Sequence, residues 1–297
     1  MVAVVVFEFC GMRCQPLRRA LALFRDNKMK NVYLIGNGFD LNLGLRTSYK
    51  DFVISDYFTR NVDGDSELFN HLYQVHQDSN WIDIEKELEE FSTKCTDYHG
   101  LLSDYKKLCQ SLKDYIQSIE ISSMNRESSA YRLFSESDLE DFVVVNFNYT
   151  DSVYHILKSL GYGDEVRERI LHVHGSVAQD EIIFGVDDKA RINEWHTFLY
   201  KSTSSIFSGS SCIQALDSFD KLHVFGHSLG DSDHMYFGFL RDIRFSSPRS
   251  GMLKAINLYH YGEEAKYDIY RQLHELTGNG VSVLKNKTLY KDIDLSK

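Results

Sequence analysis

The chain has 297 residues, 43% hydrophobic and 26% charged, enough to bury a substantial core as one large domain or a domain carrying an insertion. Lys plus Arg number 33 against 43 Asp plus Glu, a net charge of −10, and no Lys/Arg cluster occurs, which argues against nucleic acid held through its phosphates. Two prolines leave no Pro-rich linker, and neither a repeat nor a low-complexity segment is visible. The five cysteines, Cys10, Cys14, Cys95, Cys109 and Cys212, form no C-x-x-C pair and are odd in number. That pattern fits reduced thiols in cytoplasm better than a disulfide framework or a zinc site.

The apolar run at 2–7 is six residues long, lacks a basic flank and meets Glu8, so it reads as neither signal peptide nor membrane span. Met29 and Lys30 stand directly before the first convincing strand. Residues 1–28 are therefore expected to be an extension outside the fold, with an extra edge strand as the alternative.

That first strand, VYLI at 32–35, runs into Gly36, Asn37, Gly38, Phe39 and Asp40, with Gly44 following. A buried strand here enters a loop that turns sharply and lets something approach its backbone. Backbone N–H groups in such a loop can gather around phosphate oxygens at a helix start. A Gly-rich turn without a ligand satisfies the same pattern. The dinucleotide fingerprint of ordinary dehydrogenases is absent, because Leu41 stands where a third Gly or Ala belongs.

From about 50 to 140 the pattern turns helical, which reads as an insertion of several helices between the first and second strands. Trp81, Ile84, Leu88 and Phe91 share one stripe, and Leu101, Tyr105, Leu108, Leu112, Tyr115 and Ile119 share another. The acidic run Asp83, Glu85, Glu87, Glu89 and Glu90 contains no His and reads as a solvated helix face rather than a metal site.

Further strands are expected at 142–145, 170–173 and 222–225, with weaker candidates at 182–184 and 255–259. Continuous apolar strands separated by helical segments predict an α/β fold with a parallel sheet covered on both faces. Ligand sites in such sheets gather at the carboxyl ends of the strands. After the second strand come Asn146, Phe147, Asn148, Tyr149, Thr150 and Asp151, where side-chain amides can donate and accept at once. Asn148 also suits a turn, and Thr150 or Asp151 a helix cap.

The third strand ends in His172, Val173, His174, Gly175 and Ser176, which places the His174 imidazole at the sheet edge as a candidate general base. His172 reads as a buried structural histidine. A metal held by the two is disfavoured, since no further Asp and His continue the pattern.

The fourth strand leads into Gly226, His227, Ser228, Leu229, Gly230, Asp231, Ser232 and Asp233. The first five match the G-x-S-x-G nucleophile elbow, so a serine hydrolase using Ser228 is a rival reading. The other reading is a Gly/Ser loop against a nucleotide, with Ser228 and Asp231 bonding its hydroxyl groups.

Taken in order, LIGNGFDL, FNYT, HGS and GHSLGDSD resemble the hallmarks of the AbiH family of bacterial abortive-infection proteins, over residues 29 to about 233. That family is similar to sirtuin-like NAD-binding domains, whose glycine-loop spacing Gly36, Gly38 and Gly44 reproduce. The sirtuin catalytic His-Gly resembles His174-Gly175, its Gln-Asn-Ile-Asp motif resembles Phe147-Asn148-Tyr149-Thr150, and its late Gly-Ser loop resembles Gly226-His227-Ser228. The order of the motifs that follow the strands, which resembles that of sirtuin-like domains, implies a doubly wound, Rossmann-like sheet. Thr150 replaces an acid, and the zinc-binding cysteines of deacylases are absent.

The resemblance implies a cytoplasmic phage-defence protein that cleaves NAD without a metal, using His174 and Asn148 as catalytic residues. The cofactor contacts it implies are Gly36, Asn37, Gly38, Phe39, Asp40, Gly44, Thr150, Gly175, Gly226, His227, Ser228 and Asp231. A non-catalytic sensor of NAD or ADP-ribose is the third alternative. A phage-derived trigger and a homo-oligomer are the partners that resemblance leaves open, and no membrane partner is expected.

Overall fold

The computed structural model describes residues 30–62, 64, 66–79, 83–207, 209–245 and 253–297. The expectation for residues 1–28, and Trp81 of the first helical stripe, lie outside the described residues.

Six strands form one parallel sheet: β1 (Asn31–Ile35), β2 (Phe142–Asn146), β3 (Ile170–His172), β6 (Lys221–Phe225), β7 (Ala255–His260) and β8 (Leu289–Asp294), in the spatial order β3-β2-β1-β6-β7-β8. Asn31 to Ile35 pair with Phe142 to Asn146 on one side and with Lys221 to Phe225 on the other, so β1 is central. The order reverses between β1 and β6, the arrangement of a doubly wound Rossmann-like sheet. All four strands expected with motifs at their ends lie parallel in it. The weaker candidate at 182–184 does not join: β5 (Glu181–Ile182) instead pairs antiparallel with β4 (Gly175–Ser176) in a separate two-stranded sheet. There the chain doubles back within a few residues, too short a connection for a parallel crossover.

Alternation along the strands builds two cores. Tyr33, Ile35, Phe142 and Val144 pack under α1 (Asn37–Asn42), α7 (Ser129–Ser135) and α8 (Ser152–Ser159). Val32, Leu34, Val143, Val145, Leu222 and Val224 pack under α9 (Ser210–Asp217), α10 (Gly238–Phe245), α11 (Gly262–Leu276) and α12 (Val281–Lys287). Both faces being covered is why β2 reads FVVVN, buried at every position.

A third core belongs to the helices α2 (Tyr49–Val53), α3 (Asp56–Thr59), α4 (Glu67–Ser79), α5 (Ile84–Lys94) and α6 (Tyr98–Ser118). Ile84, Leu88, Leu101, Leu108, Leu112 and Tyr115 fill it, together with Phe184, Val186 and Leu199 from the segment after β5. Side chains of Ser48, Asp83 and Asp97 cap α2, α5 and α6 by accepting backbone N–H bonds. The helix α7 sits in the sheet layer, so the separate helical core ends with α6.

The loops after β1 and β6 touch backbone to backbone. Gly226 has φ +68°, and a Cβ there would lie 2.1 Å from the Phe39 nitrogen. Gly44, with φ +83°, has nothing within 4 Å of such a Cβ. In urea denaturation, Gly226→Ala is expected to lose about 3 kcal/mol or more, from left-handed strain plus overpacking. Gly44→Ala carries the backbone cost alone and is expected to lose about 1 kcal/mol. Equal losses at the two sites would refute the close approach.

Candidate active site

The crevice at the carboxyl ends of β1 and β6 is where a doubly wound sheet places its ligands. Here much of it is filled by protein. The Gly36 N–H donates to the Phe225 carbonyl at 3.0 Å and the Gly38 N–H to the Gly226 carbonyl at 2.8 Å. Those donors, expected from sequence to face a phosphate, are engaged with the neighbouring loop in this conformation. Phe39 is fully buried and meets Phe225 with ring centroids 5.4 Å apart. Asn37 accepts a bond from the Thr47 hydroxyl at 2.6 Å.

Asp40 is fully buried and accepts from the Thr150 and Ser152 hydroxyls at 2.6 Å each. Burial pushes its carboxyl above the ordinary value against these hydrogen bonds. The Asn148 side chain donates to the Gly36 carbonyl at 3.1 Å. Asn148 and Thr150 thus tie the β2 loop to the glycine loop. Beside them, His172 directs Nδ1 at the Asn148 carbonyl, 3.2 Å away, and Nε2 at Asp151, 3.4 Å away. Arg167 also bonds Asp151, at 2.6 Å. Burial works to raise the Asp151 carboxyl, but the His172 and Arg167 bonds and charges bring it below its usual range.

The second cluster centres on Asp233. His174 Nε2 lies 3.1 Å from Asp233 Oδ1, and His227 Nε2 lies 3.4 Å from Oδ2. Lys201 Nζ sits 4.0 Å from Oδ1 and 2.8 Å from Glu85 Oε2, and its side chain is 6% exposed. Burial alone would raise the Asp233 carboxyl, yet hydrogen bonds from His174 and His227 and the charges beside it hold it well below the carboxylate range. Burial opposes the Lys201 charge, but Glu85 and Asp233 keep its ammonium above the ordinary lysine value. Phe147 packs edge-on against both imidazoles, with centroids 5.6 Å from His174 and 4.2 Å from His227. His174 Nδ1 is buried and has no hydrogen-bond partner among the described residues. An imidazole oriented by a carboxylate through one nitrogen, with the other nitrogen unpaired, is the arrangement of a general base. Gly175 starts the hairpin strand β4 beside it, opposite Ile182.

Ser228 is exposed. The imidazole next to it is turned away: His227 accepts the Leu229 N–H at Nδ1 and faces Asp233 with Nε2. Among the described residues no imidazole bonds Ser228, and the left-handed conformation after β6 falls on Gly226 and Leu229 rather than on the serine. A nucleophile elbow needs both a base and a strained serine, and this loop provides neither. Asp231 is 74% exposed and lies 3.4 Å from His234. A cleft of about 500 Å³ is lined by Gly44, Leu45, Arg46, Asp51 and Tyr115 among others, and no residue of the Asp233 cluster lines it.

Three site residues were not assigned a role from sequence. Asp233 was visible as the last letter of GHSLGDSD. The acidic run that carries Glu85 reads as a solvated face, but the Glu85 side chain is only 17% exposed and lies 2.8 Å from the Lys201 ammonium. Lys201 lies in a segment with no periodic signal.

Comparison with known proteins gives one family match: the model described as "Bacteriophage abortive infection AbiH" matches residues 32–140 and 101–249. No curated protein matches the sequence. Among the described residues, no helix is long and apolar enough to cross a membrane.

Because the Asp233 carboxyl is depressed in the folded protein, its contribution to stability is present above the unfolded value of about 4 and is lost as pH falls through the folded value. Asp233→Asn is therefore expected to cost about 3 kcal/mol at pH 7, as for a broken buried pair. The gap to the wild type should begin to narrow as pH falls below about 4 and go on narrowing toward the depressed folded value. Denaturation curves across pH 3–8 check this, and a gap independent of pH would refute it.

Proposed function

The chain belongs to the AbiH family of bacteriophage abortive-infection proteins, and on that premise we propose that it acts in phage defence by hydrolysing NAD at the nicotinamide–ribose bond. The observation that carries this reading is the unpaired, buried Nδ1 of His174, with Nε2 held by Asp233. Water attacks the ribose C1′, the bond to the nicotinamide nitrogen breaks with its electron pair leaving on nicotinamide, and His174 Nδ1 takes the proton from the water. The products are nicotinamide and ADP-ribose. The transition state is oxocarbenium-like, and the Asp233 carboxylate stabilises the imidazolium as it forms.

NAD is the substrate in this reading, and no metal takes part. Asn148 fixes the loop beside the base through the Gly36 carbonyl. The exposed Ser228 and Asp231, together with Asn37 and Gly44 at the loop surface, are the positions left to contact the nucleotide. Closure of Nδ1 from solvent means that the loops over His174 part before substrate enters. A trigger of phage origin, or assembly with a second copy of the chain, fits that requirement.

The test is nicotinamide release from NAD, measured in the purified protein and in phage-infected cells expressing it. Wild type is expected to release nicotinamide, and His174→Ala to lose about a hundredfold or more in rate. Ser228→Ala is expected only to weaken NAD binding, by about 1–2 kcal/mol, the scale of one hydrogen bond. A fluorophosphonate probe is expected to leave Ser228 unlabelled. An active protein whose His174→Ala variant keeps full rate overturns the base assignment. Stoichiometric labelling that vanishes in Ser228→Ala would make the protein a serine hydrolase, and NAD bound without turnover in infected cells would make it a sensor.

A further inference from the structure

We infer that the helical insertion completes the active site: Glu85 from α5 and Lys201 are positioning residues that fix the charge balance around Asp233, and through it whether the His174 imidazole stands ready as a base. This inference rests on the proposed reading of His174 and deepens it.

The cluster is assembled from four distant parts of the chain. Glu85 and Lys201 are separated by 116 positions and meet at 2.8 Å. Lys201 then reaches Asp233 at 4.0 Å, and Asp233 holds His174 at 3.1 Å. The Tyr49 hydroxyl donates to the second Glu85 oxygen at 3.4 Å. The segment carrying Lys201 is itself fixed, since the Lys201 N–H donates to the Val186 carbonyl at 2.9 Å and the Val186 N–H to the Leu199 carbonyl at 2.8 Å.

Burying an ammonium between two carboxylates is a poor way to stabilise a fold, because desolvation of each charge offsets most of the attraction. Its effect on the neighbouring imidazole is more specific. Burial raises the Glu85 carboxyl, and the Lys201 charge works against that rise. With both acids ionised, Glu85 and Asp233 contribute two negative charges and Lys201 one positive, which leaves one negative charge to balance an imidazolium on His174. That is the charge a base needs at the moment it accepts a proton. Without Lys201, two uncompensated carboxylates would hold the ring protonated and occupy Nδ1 before substrate arrives. Without Glu85, Lys201 would neutralise Asp233 and oppose the imidazolium. The remaining polar neighbours keep the count simple. Burial raises the Tyr49 and Tyr149 phenols well above their ordinary value, and raises Tyr236 too, so all three stay neutral. His227 shares Asp233, and Asp187 adds a more distant negative influence on Lys201.

The experiment follows the His174 ring by ¹⁵N NMR in the whole purified protein, so it needs no substrate and no activity. Wild type supplies the reference curve for the ring's protonation against pH. Lys201→Met is expected to keep the ring cationic to higher pH than wild type does, and Glu85→Gln to make it neutral at lower pH than wild type. The Glu85→Gln/Lys201→Met pair, which restores the charge count, is expected to return the ring toward the wild-type state. Where the NAD reading holds, Lys201→Met should also lose about tenfold or more in nicotinamide release at pH 7 and regain it at higher pH. Opposite effects from the two single substitutions are the signature of charge balance. An unchanged ring in both, or a change of the same sign in both, overturns the inference. If Lys201→Met does not fold, Glu85→Gln decides by itself, since a ring titrating as in wild type rejects the role. Failure of the NAD reading is a separate result: no nicotinamide from wild type, whatever the ring does.

Discussion

The site depends on the contact between the loops that leave β1 and β6. A Cβ at Gly36 would lie 2.7 Å from the Gly226 carbonyl oxygen, and one at Gly38 2.8 Å from the Gly226 Cα. Removing those atoms lets two loops that diverge to opposite faces of the sheet meet at its edge. Once they meet, the side chains that follow each glycine are placed. Phe39 and Asp40 go inward beneath the β2 loop, and His227 turns toward Asp233. The glycines that read as a ligand cradle are thus first a joint between two halves of the sheet. On the proposed reading, a nucleotide at this edge would use what surrounds the joint rather than the N–H groups inside it.

Two histidines on one short stretch of chain show how their partners separate structure from chemistry. His172 has acceptors at both nitrogens, the Asn148 carbonyl and Asp151, and Arg167 completes the set. Such a ring is fully committed to holding the β2 loop against β3. His174, two residues on, has a carboxylate at one nitrogen and no partner at the other. In a buried site an unmade hydrogen bond is costly, on the order of 1–3 kcal/mol; His76 Nδ1 shares this feature, and the carboxylate on the other nitrogen is what sets His174 apart.

Much of the architecture was legible because buried strands announce themselves. The runs VYLI and FVVV are apolar throughout, LHVF is so apart from His223, and each occupies the sheet where expected. The edge strand Leu289–Asp294 was not, since half of its side chains face solvent and LYKDID lacks both an apolar run and clear alternation. The hairpin at Glu181–Ile182 looked like another sheet strand because two or three apolar residues carry no information about partner or direction. At the site, His174 stood out as an imidazole at a strand end. The Glu85–Lys201 pair could not, because periodicity describes contacts a few residues apart and this pair forms across 116. Glu85 looked solvated for the same reason, as its neighbours Glu89 and Glu90 are acidic residues on the same helix.

The proposed chemistry would occur at the unpaired nitrogen of His174, on the carboxyl edge of the sheet beside the β1–β6 joint. The most direct measurement is a crystal structure of the protein with ADP-ribose bound. The account predicts the ribose at this edge, within hydrogen-bond reach of His174 Nδ1, with Asp233 still on Nε2. Ribose bound in the cleft over Gly44, Arg46 and Tyr115, with His174 Nδ1 still enclosed by protein, would contradict it.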